Sequence, residues 1–132
     1  MKFTVESNEL QKALMKISGV VPTKSTLPIL ENILFSLSNN FLLLVATDLE
    51  ISMSAILEVR GSEDGSIAVP AKRVMDTLRA LPEAQLVFHA DISTNKIRMM
   101  TLISKWQAWA KERIFSGSEG SSIKLICQSS TL

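Results

Sequence analysis

The sequence predicts an α+β domain of two strand-helix-strands repeats that share one core, with two helices on one face of an antiparallel sheet. Two amphipathic segments, each preceded by a short alternating stretch, are separated by runs of period-two apolar residues. The first strand and helix then recur further along the chain. Phe3 and Val5 fall on Ile67 and Val69, and Leu10, Leu14 and Ile17 fall on Val74, Leu78 and Leu81, all at an offset of 64 residues without a gap. A chain of 132 residues, 46% of them hydrophobic, suffices for one core and needs no second domain.

Taken in order, Lys2 to Glu6 alternates with Phe3 and Val5 on one face, and reads as a strand. Ser7 is placed to cap the helix that follows, over residues 8–18, whose apolar stripe is Leu10, Leu14 and Ile17 and whose other face carries Asn8, Lys12, Met15 and Lys16. Gly19 suits a helix stop. Pro28 fixes its own backbone and biases Leu27 toward an extended conformation, so the chain turns a corner there and enters a sheet. Strands are expected at 31–37, 41–47 and 50–59, the first two joined by a turn at Asn39-Asn40. Residues 61–65, Gly-Ser-Glu-Asp-Gly, read as a polar turn. Ser66 to Val69 is a strand again, Pro70 is suited to open a second helix, and Val74, Leu78 and Leu81 form that helix's buried stripe before Pro82. Leu86 and Phe88 mark a further strand, a polar turn around Ser93 to Asn95 follows, and Lys96 to Thr101 returns. By the repeat, one more strand belongs near 103–112. The residues there, Ile-Ser-Lys-Trp-Gln-Ala-Trp-Ala-Lys-Glu-Arg, instead have helical character, with both tryptophans, Trp106 and Trp109, in one short stretch. The expectation is a body over 1–101 with its second repeat incomplete, and a divergent tail over 102–132, disordered or docked through its tryptophans where the strand belongs.

The composition excludes several functions. Fourteen basic residues against 13 acidic leave a net charge of +1, so only local clustering could mark a nucleic-acid binder. Cys127 is the single cysteine and has no histidine near it to make a nucleophile or a metal site. The start has no apolar run of signal-peptide kind and no stretch reaches bilayer length, which leads to an expectation of a cytoplasmic protein with no membrane partner. His89 lies in a strand without a partner that would make it a base. Asp48 and Glu50, spaced Asp-x-Glu, would share one side of an extended segment and could ligate magnesium for a metal-dependent phosphoesterase. Thr-Asp is equally ordinary turn chemistry, and no other ligand is near in sequence. No cofactor, metal or catalytic residue is therefore expected. Two helices side by side would expose Lys12, Lys16, Lys72, Arg73 and Arg79 together, opposed by Glu9 and Asp76, with Lys24 in the loop after the first helix. Solvated helix faces are ordinarily charged, but such a patch also fits phosphates, which position a protein without reading sequence.

Five segments carry a resemblance: Met-Lys-Phe-Thr-Val-Glu at the start, Thr26-Leu-Pro-Ile-Leu30 with Asn32 after it, Ala46-Thr-Asp-Leu-Glu50, Val69-Pro-Ala-Lys72 and Leu81-Pro-Glu83. In order and spacing, over residues 1–101, they resemble the first domain of the bacterial DNA polymerase III beta subunit family, the sliding clamps. The resemblance implies a DNA-clamp domain and a non-catalytic processivity factor for DNA replication, in which three such domains make a chain and two chains close into a ring. That ring surrounds double-stranded DNA, is placed by the clamp loader and tethers the polymerase. It implies DNA contact by Lys24, with Lys12, Lys16, Lys72, Arg73 and Arg79 on helices facing the hole, and a divided role for Lys72 and Arg73 because the family uses that neighbourhood near its ring interface. The polymerase-docking pocket belongs to domains beyond the one matched. From 102 the text departs from the family's closing strand, and the expectation is a frameshifted or truncated gene copy whose product is either a clamp fragment or a non-functional or interfering one; clamp-like text in another reading frame would support that origin.

Overall fold

In the computed structural model, which describes residues 1–21, 28–48, 50–81, 83–103 and 108–119, the chain alternates strands with two helices. Strand β1 (Lys2–Glu6) leads into helix α1 (Ser7–Ile17), then β2 (Asn32–Ser38), β3 (Phe41–Thr47) and β4 (Ser52–Glu58). A short strand β5 (Arg60–Glu63) precedes β6 (Gly65–Pro70), helix α2 (Ala71–Ala80), β7 (Gln85–Asp91), β8 (Lys96–Ile103), β9 (Ala108–Ser116) and β10 (Ser118–Glu119).

The single expected sheet is in fact two, ordered β5-β1-β7-β8-β9 and β10-β6-β2-β3-β4. The reason is an exchange: β1 leaves its own unit to pair with β7 of the second, and β6 leaves the second to pair with β2 of the first. Equivalent residues meet equivalent partners. Phe3 opposes Phe88 as Ile67 opposes Phe35, and Val5 opposes Leu86 as Val69 opposes Ile33. The inward faces of both sheets meet in one core with the apolar stripes of α1 and α2. Phe88 stacks on Phe3 at 4.9 Å between ring centroids and on Phe35, from the other sheet, at 5.1 Å. Offset stacking of this kind adds roughly 0.5–1.5 kcal/mol per pair beyond the area buried.

Asn39 and Asn40 both take positive φ, 50° and 66°, and form the β2–β3 turn that their sequence announces. Other expectations are corrected. Ser7 is the first residue of α1, not its cap; its hydroxyl accepts from the Ala84 N–H at 3.2 Å while its own N–H donates to the Ala84 carbonyl, which fastens α1 to the start of β7. The helix ends at Ile17, and Gly19 lies in the 3-10 turn that continues it. Residues 60–63 are a strand and not a turn, because β1 offers an open ladder and a polar segment suits a sheet edge.

The helical reading of residues 102–112 is likewise overturned. β8 runs to Ile103, and β9 pairs antiparallel with it from Lys96↔Ser116 to Ile103↔Ala108, so the second repeat has its third strand. Backbone bonds repeat too. Val59 N–H donates to the Asn40 carbonyl at 2.8 Å, and Gly117 N–H donates to the Asn95 carbonyl at 2.7 Å, both acceptors having positive φ. After each bond the chain adds a short strand to the other unit's sheet, β5 to β1 and β10 to β6. Cys127, Trp106, Leu27 and Pro82 lie outside the described residues, and Trp109 is placed only by its backbone, in β9.

Candidate nucleic-acid interface

Both helices bury one stripe and expose the other. In α1 the buried residues are Ser7, Leu10, Ala13, Leu14 and Ile17, and in α2 they are Ala71, Val74, Met75 and Leu78. That leaves Lys12 and Lys16, one turn apart, on the solvent face of α1, and Lys72, Arg73 and Arg79 exposed on α2. The two helices are in contact with each other. Between them they carry five cations against Glu9 and Asp76, a net charge of +3 on a chain whose total is +1, so the remainder of the chain is net negative by two.

The cations fall into two depressions. Lys12 and Lys16 line a groove of about 490 Å³ between α1 and residues 55–58 of β4, with Glu9 and Glu58 in its walls. Lys72, Arg73 and Arg79 line a second, of about 600 Å³, with Ser18, Val21 and Glu31. Glu58 and Glu31 are acidic walls that sequence spacing did not reveal, since both come from strands or turns remote from the helices. The Arg79 guanidinium lies 3.8 Å from the Asp76 carboxylate, but both are well exposed and a pair of that kind is held loosely. Among the described residues Lys12, Lys16, Lys72 and Arg73 make no ion pair. Lys24 lies outside the described residues.

The first turn of α2 is electrostatically unusual. It holds Lys72 and Arg73 and no acidic residue, where free N–H groups and the helix dipole favour negative charge. Local helix stability alone would not select two cations there.

The alternative sites take other roles. Asp48 Oδ1 accepts from the Glu50 N–H at 3.0 Å and the Ile51 N–H at 2.7 Å, closing the turn between β3 and β4. No group of three metal-ligating side chains occurs among the described residues. His89 is half-buried in β7, in register between Lys2 and Arg98. No helix among the described residues is long and apolar enough to cross a membrane.

A family model described as DNA polymerase III beta subunit, N-terminal domain, matches residues 1–107. The chain belongs to this family. It is 40% identical over 88 residues to the beta sliding clamp of Vibrio harveyi, covering 66% of this chain and 61% of that one. To the beta sliding clamp of Escherichia coli it is 44% identical over 84 residues, 63% of this chain and 23% of the relative. The crystal structure of the DNA polymerase III subunit beta from Pseudomonas aeruginosa superposes with a TM-score of 0.78 at 26% identity, over 92% of this chain and 31% of that one. The chain thus spans less than two thirds of each relative. The superposed share exceeds the residues matched by the family model, in keeping with β9 and β10 completing the domain's second repeat.

Proposed function

We propose that this chain serves as a sliding-clamp domain whose helices α1 and α2 face duplex DNA. Lys12, Lys16, Lys72, Arg73 and Arg79, with Lys24, which follows α1 in the sequence, hold phosphates without reading bases. The observation that carries this is the charge asymmetry, a helix pair of net +3 on a body otherwise net negative. Sliding requires many weak contacts that are equivalent at every base step, and mobile side chains on a helix face meet that requirement better than a tight pocket would. In the assembled ring the domain contributes to a tether that holds polymerase III on its template after the clamp loader has placed it. No bond is made or broken, and the setting is the cytoplasm.

The 132-residue chain is expected to bind duplex DNA weakly and without sequence preference, with log K falling linearly against log salt at a slope of about −0.9 per phosphate contact. Replacing Lys12, Lys24 and Arg79 together by Ala should flatten that slope by up to about 3 and weaken binding alike on unrelated sequences. An unchanged slope in the triple variant would remove these residues from the interface.

A further inference from the structure

The two sheets differ on the faces they turn away from the core. An antiparallel sheet with one packed face commonly keeps the other polar. The sheet of β1, β7 and β8 does so, with Lys2, Glu6, Gln85, His89 and Arg98 at positions that alternate with the buried Phe3, Phe88 and Met99. The other sheet does not. β2, β3 and β6 contain no charged residue, and the positions that alternate with their core-facing ones include Leu34, Ala68, Phe41, Leu43 and Val45. Register sets these side by side, with Leu34 between Val45 and Ala68, and Leu43 opposite Ile56 of β4. Leu34 and Ala68, with Val45 packed against them, form a hydrophobic cluster of their own apart from the main core. Exposure across the patch is graded, from Ala68 at 0% and Leu34 at 3% on the side nearer β10 to Phe41 at 53% and Ile56 at 68% on the side of β4. A contiguous apolar patch on an outer face marks a contact surface.

We propose that this face is the docking site of the chain's own residues 123–127, Ile-Lys-Leu-Ile-Cys, which lie outside the described residues. The occupant follows from where the described chain stops and what comes next. β10 is hydrogen-bonded to β6 with Ser118 opposite Ala68, so the chain arrives at the rim of this sheet, at the covered end of the patch. From β10 to β4 is four strand spacings, about 19 Å, and the stretch from Glu119 to Cys127 spans about 26 Å when extended, enough to cross the whole face. Residues 120–122 are Gly-Ser-Ser, a composition that turns readily. The run beyond them, when extended, sets Ile123, Leu125 and Cys127 on one side and its single charge, Lys124, on the other. That apolar side matches a face to which β2, β3 and β6 bring no charge. The contact is with side chains standing on the sheet, not with the backbone of an edge strand. It covers apolar surface that would otherwise favour association with other molecules. It does not rest on the assignment of α1 and α2 to DNA.

The test uses Cys127, the single cysteine of the chain, as its reporter. In the 132-residue chain, Ile56→Cys adds a second thiol at an exposed position of the patch, and Lys2→Cys adds one at an exposed position on the outer face of the other sheet, as the reference. Both sites are exposed, so circular dichroism should show both variants folded. With oxidised glutathione as oxidant, docking holds the Cys127 thiol at a raised effective concentration over the patch, so Ile56→Cys should close an internal disulfide at least about tenfold faster than Lys2→Cys, read as a monomer of altered mobility on a non-reducing gel. Adding Leu125→Asp to Ile56→Cys puts a charge against the apolar face and should slow closure to the rate of the reference. Closure no faster than in the reference, or closure that Leu125→Asp leaves unchanged, would overturn the proposal. So would a disulfide that joins two chains instead of closing within one, which would make a second copy the occupant.

Discussion

Replacing Arg73 by Glu should strengthen the fold and weaken DNA binding at once. Arg73 is the third residue of α2, beside free N–H groups that already carry partial positive charge, and no acidic residue of the first turn offsets it. A charge matched to a helix end contributes about 0.3–1 kcal/mol, so exchanging a mismatched cation for a matched anion is worth about twice the lower part of that range at an exposed site, roughly 0.6–1 kcal/mol. For a domain of this size that is a rise in Tm on the order of 2–5 °C, readable by thermal circular dichroism at low salt and shrinking as salt is added. On duplex DNA the same variant loses one phosphate contact and gains a repulsion, so its salt slope should fall by about 1 and its affinity should drop on every sequence tested. If Arg73 served the fold, Tm and affinity would fall together. A lower Tm, or a higher Tm with unaltered DNA binding, would refute the assignment of α2's first turn to nucleic acid.

Gly117→Ala tests the placement of β9 and β10, because a Cβ there would lie 2.6 Å from the Ala68 carbonyl oxygen and 2.8 Å from Ile97 Cδ1. Denaturant unfolding should show a loss of about 1–3 kcal/mol, and an unchanged midpoint would mean that the segment does not dock on β6. Asp91 tests the β7–β8 turn. Its carboxylate accepts from the Ser93 hydroxyl at 2.6 Å and the Ser93 N–H at 3.0 Å, with a smaller contribution from Thr94, and these bonds hold its pKa below the ordinary 3.8. Since the folded value lies below the unfolded one, the stabilisation is present in full above the unfolded pKa and is lost as pH falls through the folded one. The stability difference between the parent and Asp91→Ala should therefore be constant near neutrality and begin to narrow as pH falls below about 4, and a difference that widens on acidification would contradict the bonding described.

Local features of this fold were legible because local chemistry decides them. The stripes at Leu10, Leu14, Ile17 and at Val74, Leu78 are buried as their spacing requires, and Asn39-Asn40 turns as a pair that tolerates positive φ must. What stayed hidden depends on partners. Period-two alternation tells which face a strand buries but not which strand lies beside it, so the exchange of β1 and β6 between units, and with it the second sheet, left no trace in the pattern. The repeat was visible at an offset of 64 only through the first strand and helix. Beyond them the offset drops to 53 between Phe35 and Phe88, because the connection after α2 is shorter than that after α1, and then rises to 55 between Leu44 and Met99, because the β7–β8 turn is longer than the β2–β3 turn. β9 was obscured by composition: alanine, lysine and glutamate favour a helix in isolation, and the open ladder of β8 prevails over that preference.

On the helix pair the exposure of the five cations was legible from spacing, since an amphipathic stripe leaves its complement in solvent. Their division between two depressions was not, because Glu58 and Glu31 reach those walls from strand and turn.

The most direct measurement is a map of backbone amide shifts in the 132-residue chain on titration with a short duplex of arbitrary sequence at low salt. Perturbations should concentrate on the exposed faces of α1 and α2, around Lys12, Lys16, Lys72, Arg73 and Arg79, and fade together as salt is raised. Perturbations confined to the strands, or a duplex that moves no helix resonance, would contradict the assignment of this face to DNA.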